Sequence, residues 1–149
     1  MIRRTFDQRG LPYASKLSLQ NCQDLSRILK WNKKNGFSFF RLSSNLFPWA
    51  SEYRLEELPD YHRIKQTLAF GGQIAKIHKM RITSHPGPFN KLCSSDERIL
   101  LNTIKELEHH GEVFDLLGLP RSPFAKINIH VGATYGNKAK TAETFCRNF

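Results

Sequence analysis

Two histidines stand where short stretches of strand-forming sequence end. His85 follows Arg81-Ile-Thr-Ser84, and a Pro-Gly-Pro sequence comes directly after it. The residue before a proline avoids the α region, so His85 is predicted to lie on stiff, extended backbone. His130 ends a second apolar run, which begins at Ala125. An imidazole at such a position can bind a divalent metal, although a histidine before a proline is also often an ordinary hydrogen-bonded loop residue.

The spacing of the strand-like runs predicts that these two histidines meet. Three runs start near residues 37, 81 and 126, and segments with helical periodicity separate them. Strands that alternate with helices indicate βαβ units and a parallel sheet. Parallel strands end at the same edge of the sheet, where barrel-type α/β enzymes keep their catalytic residues. We therefore expect His85 and His130 to converge on one edge and to share a metal ion.

The remaining pattern places helices around this sheet. Residues 1–16 are predicted to be irregular because they contain Gly10 and Pro12, and Ser15 or Ser18 is expected to cap the first helix. The predicted helices cover 18–35, 60–79, 94–117 and 137–149, and the predicted strands cover 37–42, 81–84 and 126–130.

A closed (β/α)8 barrel needs about 250 residues, and this chain has 149. The predicted fold class is therefore α/β, as one domain over 1–149. It corresponds to a partial (β/α)8 TIM barrel of three parallel strands with outer helices, which lacks the barrel's first strand and its second half.

The composition restricts the kind of partner. The formal net charge is +10, and 40% of the residues are hydrophobic, which is typical of a globular chain. A charge this positive indicates an anionic partner, most often nucleic acid, although basic side chains can also serve only to keep helices soluble. No apolar run is long enough to cross a membrane. Three cysteines without metal-motif spacing indicate a reducing compartment and no disulfide framework.

Several consecutive blocks resemble the UV damage endonuclease family, a DNA-repair group of (β/α)8 barrels. The resemblance runs from about residue 17 to the end of the chain, and the order and spacing of the blocks make it specific. Its longest blocks are Phe40-Arg-Leu-Ser-Ser-Asn-Leu-Phe-Pro-Trp-Ala-Ser51, Ser84-His-Pro-Gly-Pro-Phe89 and Ile129-His-Val-Gly-Ala-Thr-Tyr-Gly-Asn-Lys138. The resemblance implies an enzyme that nicks the DNA backbone 5′ of UV photoproducts with a cluster of divalent metals, most often Mn²⁺, with Zn²⁺ or Mg²⁺ as alternatives.

The same resemblance assigns roles at the metal site. His85 and His130 match histidine ligands of the family. Glu52 stands where members often have a histidine, so it is expected to ligate a metal or to orient a water as a catalytic group. The alternative for Glu52 is a solvated loop acid.

Four further residues are assigned to DNA binding by resemblance. Pro88 and Phe89 match a glutamine and an aromatic residue that probe the damaged duplex. Proline cannot supply the hydrogen bonds of glutamine, so recognition is expected to rest on stacking of Phe89, unless that ring belongs to the core. Tyr135 and Lys138 are expected to face the phosphodiester.

The expected partner is double-stranded DNA that contains UV lesions, and no membrane is expected. Further metal ligands of the family have no counterpart here, so we expect a partial site with little activity alone and a complementary chain that carries the missing half-barrel. The expected location is cytoplasmic and nucleoid-associated in a prokaryote or virus, and nuclear in a eukaryote. Two other functions remain open at this point, namely a sugar isomerase-like metal barrel and a non-catalytic basic module that binds nucleic acid.

Overall fold

The computed structural model describes residues 1–132 and 135–149. Its regular elements alternate as expected for an α/β fold. They are α1 (Arg3–Lys34), β1 (Phe39–Arg41), α2 (Tyr61–Ile77), β2 (Arg81–Ser84), α3 (Glu97–Leu117), β3 (Ala125–Ile127) and α4 (Lys138–Asn148), with short 3₁₀ turns at Ala50–Glu52 and Leu55–Glu57.

The three strands form one parallel sheet in the order β1-β2-β3. Helices α2 and α3 are the crossover connections, and α1 packs against α2. The core lies between the helices and one face of the sheet, and it includes Leu29 of α1, Leu68 of α2 and Ile82 of β2. The predicted α/β architecture, with parallel strands and outer helices, is confirmed.

The prediction that residues 1–16 are irregular is wrong, because helix α1 begins at Arg3. Gly10 and Pro12 kink this helix without ending it, and Gly10 has φ 60° and ψ −160°. The first part of the helix is held by tertiary contacts, since the Phe6 ring lies 6.3 Å from the rings of both Trp49 and Tyr53. Packing against the loop after β1 thus outweighs the local breakers.

The predicted caps of that helix are also wrong. Ser15 and Ser18 lie inside α1 and are buried. The Ser18 hydroxyl donates to the carbonyl oxygen of Ala14, and the Ser15 hydroxyl donates to a carboxylate oxygen of Asp60 at 2.9 Å. Ser15 therefore joins α1 to the start of α2, whereas the Ser18 hydroxyl bonds within α1.

Helix α3 begins slightly later than predicted, because Asp96 is its N-cap. The Asp96 carboxylate accepts from the backbone amides of Arg98 and Ile99, which satisfies two donors of the first turn. The helix ends at Gly118, which has φ 64° and adopts the left-handed conformation that glycine tolerates best.

Helices α2 and α3 approach closely at Gly72. A Cβ atom built on Gly72 would overlap the carbonyl oxygen of Leu117. Gly72 therefore permits the contact that places α3 beside α2.

Two strands are shorter than predicted. Strand β3 covers Ala125–Ile127 rather than 126–130, and β1 covers Phe39–Arg41 rather than 37–42. The ladder between β2 and β3 finishes where the Asn128 amide donates to the Ser84 carbonyl at 2.9 Å. Beyond Ser84 the β2 segment becomes proline-rich, and proline has no N–H to continue the ladder. His130 therefore lies three residues after its strand.

None of the helices in the described part of the chain combines the length and apolarity needed to cross a membrane. The three cysteines are free thiols; Cys22 and Cys93 are buried, and Cys146 is exposed. Burial raises the pKa of Cys22 to about 12.

Candidate metal centre

The structure brings the two predicted histidine ligands together. His85 directly follows β2, His130 follows β3, and both strands run in the same direction. The centroids of the two imidazole rings are 4.5 Å apart. His85 is half-buried and His130 is exposed. Two neighbouring imidazoles at the carboxyl ends of parallel strands can bind one ion from the same side.

A backbone carbonyl sets the tautomer of His85. Its Nδ1 lies 2.9 Å from the carbonyl oxygen of Asn128. Because a carbonyl oxygen only accepts hydrogen bonds, Nδ1 carries the proton, and Nε2 of neutral His85 keeps its lone pair. This contact between a ligand histidine and a backbone carbonyl is the arrangement that orients imidazoles in metal sites. The role of Asn128 was not predicted, because no sequence pattern identifies a backbone carbonyl that accepts from a distant ring.

The loops that carry the histidines are held against each other. Gly132, two residues after His130, has φ 117°, and a Cβ atom built on it would lie 2.7 Å from Cys93 Sγ. Cys93 is buried and belongs to the loop after β2, as does the buried Pro86. This contact fixes the His130 loop against the His85 loop. The only indication of this contact in the sequence was a glycine two residues after a candidate ligand.

The contacts that the structure shows for Glu52 are not with the two histidines. It ends the short 3₁₀ turn after β1, and its carboxylate pairs with the Arg3 guanidinium at 2.9 Å. Within residues 1–132 and 135–149, no group of three or more histidine, cysteine or acidic side chains is placed to hold a metal ion. The structure therefore does not gather Glu52 with the histidine pair, and its catalytic role stays a prediction.

The four residues predicted to bind DNA are all exposed. Pro88 and Phe89 lie in the turn after His85, and the Phe89 side chain is 85% exposed, which excludes a place in the core of this chain. Tyr135 is exposed with φ 39°, and Lys138 is the exposed first residue of α4. Their exposure leaves them free to contact a large substrate, and their roles stay predictions.

The histidine pair in α3 has a packing role. The His109 ring meets the Phe47 ring edge-on at a centroid distance of 5.5 Å, and burial, with a smaller contribution from His110, lowers the pKa of His109 to about 4. The buried His110 lies 3.5 Å from Glu106, and the neighbouring His110 imidazole is the main reason that the pKa of Glu106 is lowered. Both histidines therefore pack within the protein.

A cavity of about 490 Å³ lies beneath the loop after β1, and Glu106, Asn21 and Trp49 are among its lining residues. Neither His85 nor His130 lines it. The two candidate ligands lie instead where a macromolecule can approach them without entering a cavity.

Comparisons with known proteins agree with the predicted fold and family. The family model described as UV-endonuclease UvdE matches residues 3–149. A UV-damage endonuclease of Neurospora crassa is 37% identical and aligns with 96% of this chain and 22% of its own length. A putative UV-damage endonuclease of Acanthamoeba polyphaga mimivirus is 32% identical, with 99% of this chain and 45% of the relative covered.

A solved structure, described as the crystal structure of SacUVDE, is also similar. It matches 89% of this chain with a TM-score of 0.80 and 33% sequence identity, and the match covers 44% of that chain. The three strands and their helices thus correspond to part of a TIM barrel. The chain spans less than half the length of these relatives. With a family model that matches nearly its whole length, this chain belongs to the UV-endonuclease UvdE family.

Proposed function

We propose that this chain forms part of the active site of a DNA-repair endonuclease that cuts the phosphodiester backbone 5′ of UV photoproducts. The observation that carries the proposal is the pair of imidazoles, His85 and His130, with ring centroids 4.5 Å apart at the carboxyl ends of parallel strands. Family membership supports nuclease chemistry over a sugar isomerase. It also supports an enzyme over a non-catalytic module that binds nucleic acid through charge alone.

The residues present fit a divalent metal ion. The backbone carbonyl of Asn128 holds the proton of His85 on Nδ1, so Nε2 is available as a ligand, and imidazole nitrogen suits Mn²⁺, Fe²⁺ and Zn²⁺. His85 and His130 would hold such an ion. The chemistry supplied by a bound divalent ion is Lewis-acid assistance to hydrolysis of the phosphodiester. Two imidazoles form an incomplete ligand set, so we propose that further ligands come from a complementary polypeptide.

The residues around the histidines suit a duplex substrate. Phe89 projects four residues beyond His85 and can stack on an unpaired base, and Pro88 holds its backbone in a restricted conformation. The net charge of +10 attracts the phosphate backbone without sequence preference. Binding through charge and stacking suits an enzyme that recognises a distorted duplex instead of a base sequence.

We expect little nicking of UV-irradiated supercoiled plasmid by this chain alone in Mn²⁺. We expect nicking to appear when the part of the mimivirus relative that this chain does not match is added as a separate polypeptide. Conversion of supercoiled to open-circular DNA measures the activity, with unirradiated plasmid as the control. Equal nicking of both plasmids, or nicking that survives alanine at both His85 and His130, would contradict the proposed function.

Phe89→Ala is expected to weaken binding to a UV-irradiated duplex by about tenfold, because stacking on a base is worth about 1–3 kcal/mol. Binding to an undamaged duplex should change little, because it depends on charge and should fall steeply with salt. Fluorescence anisotropy at several salt concentrations measures both. Phe70→Ala, at an exposed phenylalanine on α2, is the matched control. Equal losses on the two duplexes would show that Phe89 does not recognise damage.

A further inference from the structure

The cavity beneath the loop after β1 is lined by hydrogen-bond acceptors and an aromatic ring. Its volume of about 490 Å³ is that of a small-molecule site. Helix α1 contributes Asn21 to the lining, α3 contributes Glu106, and the loop contributes Asn45 and Trp49. Neither candidate metal ligand lines this cavity, so a ligand bound here would occupy a separate site of the chain.

The Glu106 carboxylate has no arginine or lysine partner in the described part of the chain. Its ion pair there is with His110, whose Nε2 lies 3.5 Å from Glu106 Oε1. His110 is 5% exposed, and its Nε2 has no hydrogen-bond partner among the described residues. The His110 imidazole lowers the pKa of Glu106, so the carboxylate is ionised at neutral pH. Glu106 therefore presents a negative charge that can accept hydrogen bonds from a ligand.

Two cations that contact the same loop have other partners. The Arg3 guanidinium pairs with the Glu52 carboxylate at 2.9 Å, and Lys105 Nζ donates to the carbonyl oxygen of Ser51. Within residues 1–132 and 135–149, neither cation forms an ion pair with Glu106. The charge of Glu106 is therefore left for a cation from outside the chain.

The indole of Trp49 is held in place by several contacts. Trp49 has φ 61° and ψ 36°, the left-handed conformation that residues other than glycine seldom adopt. Its Nε1 donates to the carbonyl oxygen of Met1, and the Phe6 ring lies 6.3 Å from the Trp49 ring. Backbone strain of this kind persists where the surrounding structure fixes a residue, often at a ligand site. Because its N–H is already bonded, the indole offers a ligand its aromatic surface.

A guanidinium already lies beside this ring within the protein. The Arg3 guanidinium carbon is 5.3 Å from the centroid of the Trp49 ring, and the same group pairs with Glu52. A guanidinium is planar, so it can stack on an aromatic face while its N–H groups bind a carboxylate. The cavity offers a second combination of these partners, namely the Trp49 ring and the Glu106 carboxylate.

We propose that this cavity binds a guanidinium group, carried by a small molecule or by an arginine side chain. The guanidinium pairs with Glu106 and lies against Trp49. Asn21 Nδ2 donates to the carbonyl oxygen of Leu46, which leaves Asn21 Oδ1 to accept another N–H of the ligand. An ionised carboxylate in the lining repels anions such as phosphate, so the cavity selects a cation.

The test uses the whole chain without metal or DNA, so its outcome does not depend on the proposed endonuclease function. Isothermal titration compares agmatine with N-carbamoylputrescine, which has the same length but carries a neutral urea in place of the guanidinium. Agmatine is expected to bind about tenfold or more tightly, because its hydrogen bonds to Glu106 join two charged groups. A blocked Gly-Arg-Gly peptide is the second probe, and tighter binding of the peptide than of agmatine would identify an arginine side chain as the source.

Tryptophan fluorescence places the ligand. The chain has two tryptophans, so Trp31→Phe leaves Trp49 as the sole emitter. Trp31 does not line the cavity. We expect agmatine to change the emission of this variant with the same midpoint as the titration. An unchanged emission at saturation would show that the ligand binds elsewhere, and would overturn the site.

Glu106→Gln keeps the side-chain shape and removes the charge, so it is expected to weaken agmatine binding about tenfold or more. Glu108→Gln removes the same charge from an exposed position on α3 and should have little effect. Thermal melts check that each variant folds. If Glu106→Gln does not fold, the comparison of agmatine with its urea analogue on the wild-type chain still decides the question.

Four other results would overturn the proposal. The first is no binding of either guanidinium probe, and the second is equal binding of agmatine and its urea analogue. The third is equal binding of putrescine, which would show that an ammonium group is sufficient. The fourth is deoxyguanosine that binds more tightly than agmatine and depends on Glu106, which would identify a nucleobase as the occupant.

Discussion

Alanine at both His85 and His130 is expected to lower the affinity of this chain for Mn²⁺ by about 100-fold or more. Loss of residues that only orient a ligand typically costs 10–100-fold, and this change removes the ligands themselves. The two rings lie with centroids 4.5 Å apart, so the pair forms the whole candidate site within the described residues. Isothermal titration with Mn²⁺, or the electron paramagnetic resonance signal of free Mn²⁺, measures the change without any need for activity.

Two other variants sharpen that experiment. His85→Asn keeps an N–H that can reach the Asn128 carbonyl but removes Nε2, so it should lose metal affinity while the unfolding midpoint stays unchanged. The double substitution His62→Ala and His78→Ala removes two imidazoles, one in α2 and one at its C-cap, that do not belong to the candidate site. It should leave Mn²⁺ binding intact. If this control weakened Mn²⁺ binding as much as the paired change at His85 and His130, the assigned site would be wrong.

Gly72→Ala is expected to lower the free energy of unfolding by about 3 kcal/mol or more, at the upper end of the cost of overpacking. The added methyl would overlap the Leu117 carbonyl, which belongs to helix backbone and cannot turn aside as a side chain can. Helices α2 and α3 would have to separate, and with them the strands that they connect. Urea denaturation followed by circular dichroism measures the loss.

The neighbouring glycine supplies the matched control. A Cβ atom on Gly71 would meet Ser26 Oγ at 3.4 Å and two leucine methyls at 3.8 Å and 3.9 Å, which are ordinary contacts. Gly71→Ala should therefore keep the stability or raise it by up to about 1 kcal/mol through helix propensity. If the two substitutions cost the same, close packing of α2 on α3 would not be the reason that Gly72 is required.

The parallel sheet was predictable because its signal is local and repeated. Each strand carries β-branched or aromatic residues, and helical segments of similar length separate the strands, so the alternation itself indicates βαβ units. The strand ends were less predictable. His130 lies beyond β3 because the partner strand turns into a proline-rich loop after Ser84, and pairing between distant segments decides where a ladder stops.

The start of α1 could not be predicted from its own residues. Gly10 and Pro12 are breakers, yet the helix continues through a kink because Phe6 packs on Trp49 and Tyr53, more than 40 residues away. Local propensity is a weak guide where tertiary contacts of this kind decide the outcome.

The candidate site also has features that could be predicted from the sequence and features that could not. The proximity of His85 and His130 could be predicted, because each follows a strand of one parallel sheet. The contact of the Asn128 carbonyl with His85 and the packing of Gly132 on Cys93 could not be predicted, because each depends on which segments lie side by side. The ion pair between Glu52 and Arg3 could not be predicted either, because it joins residues 49 positions apart.

The three thiols differ in their surroundings, so their reactivity can report on local motion and on unfolding. Cys146 is exposed and can react with an alkylating reagent directly, whereas Cys93 is buried against Gly132, and we expect its alkylation to be faster when the His130 loop moves. Cys22 lies in the core and has a pKa of about 12, so it stays protonated until the chain unfolds. The order and rates of alkylation therefore separate local breathing of the histidine loops from global unfolding.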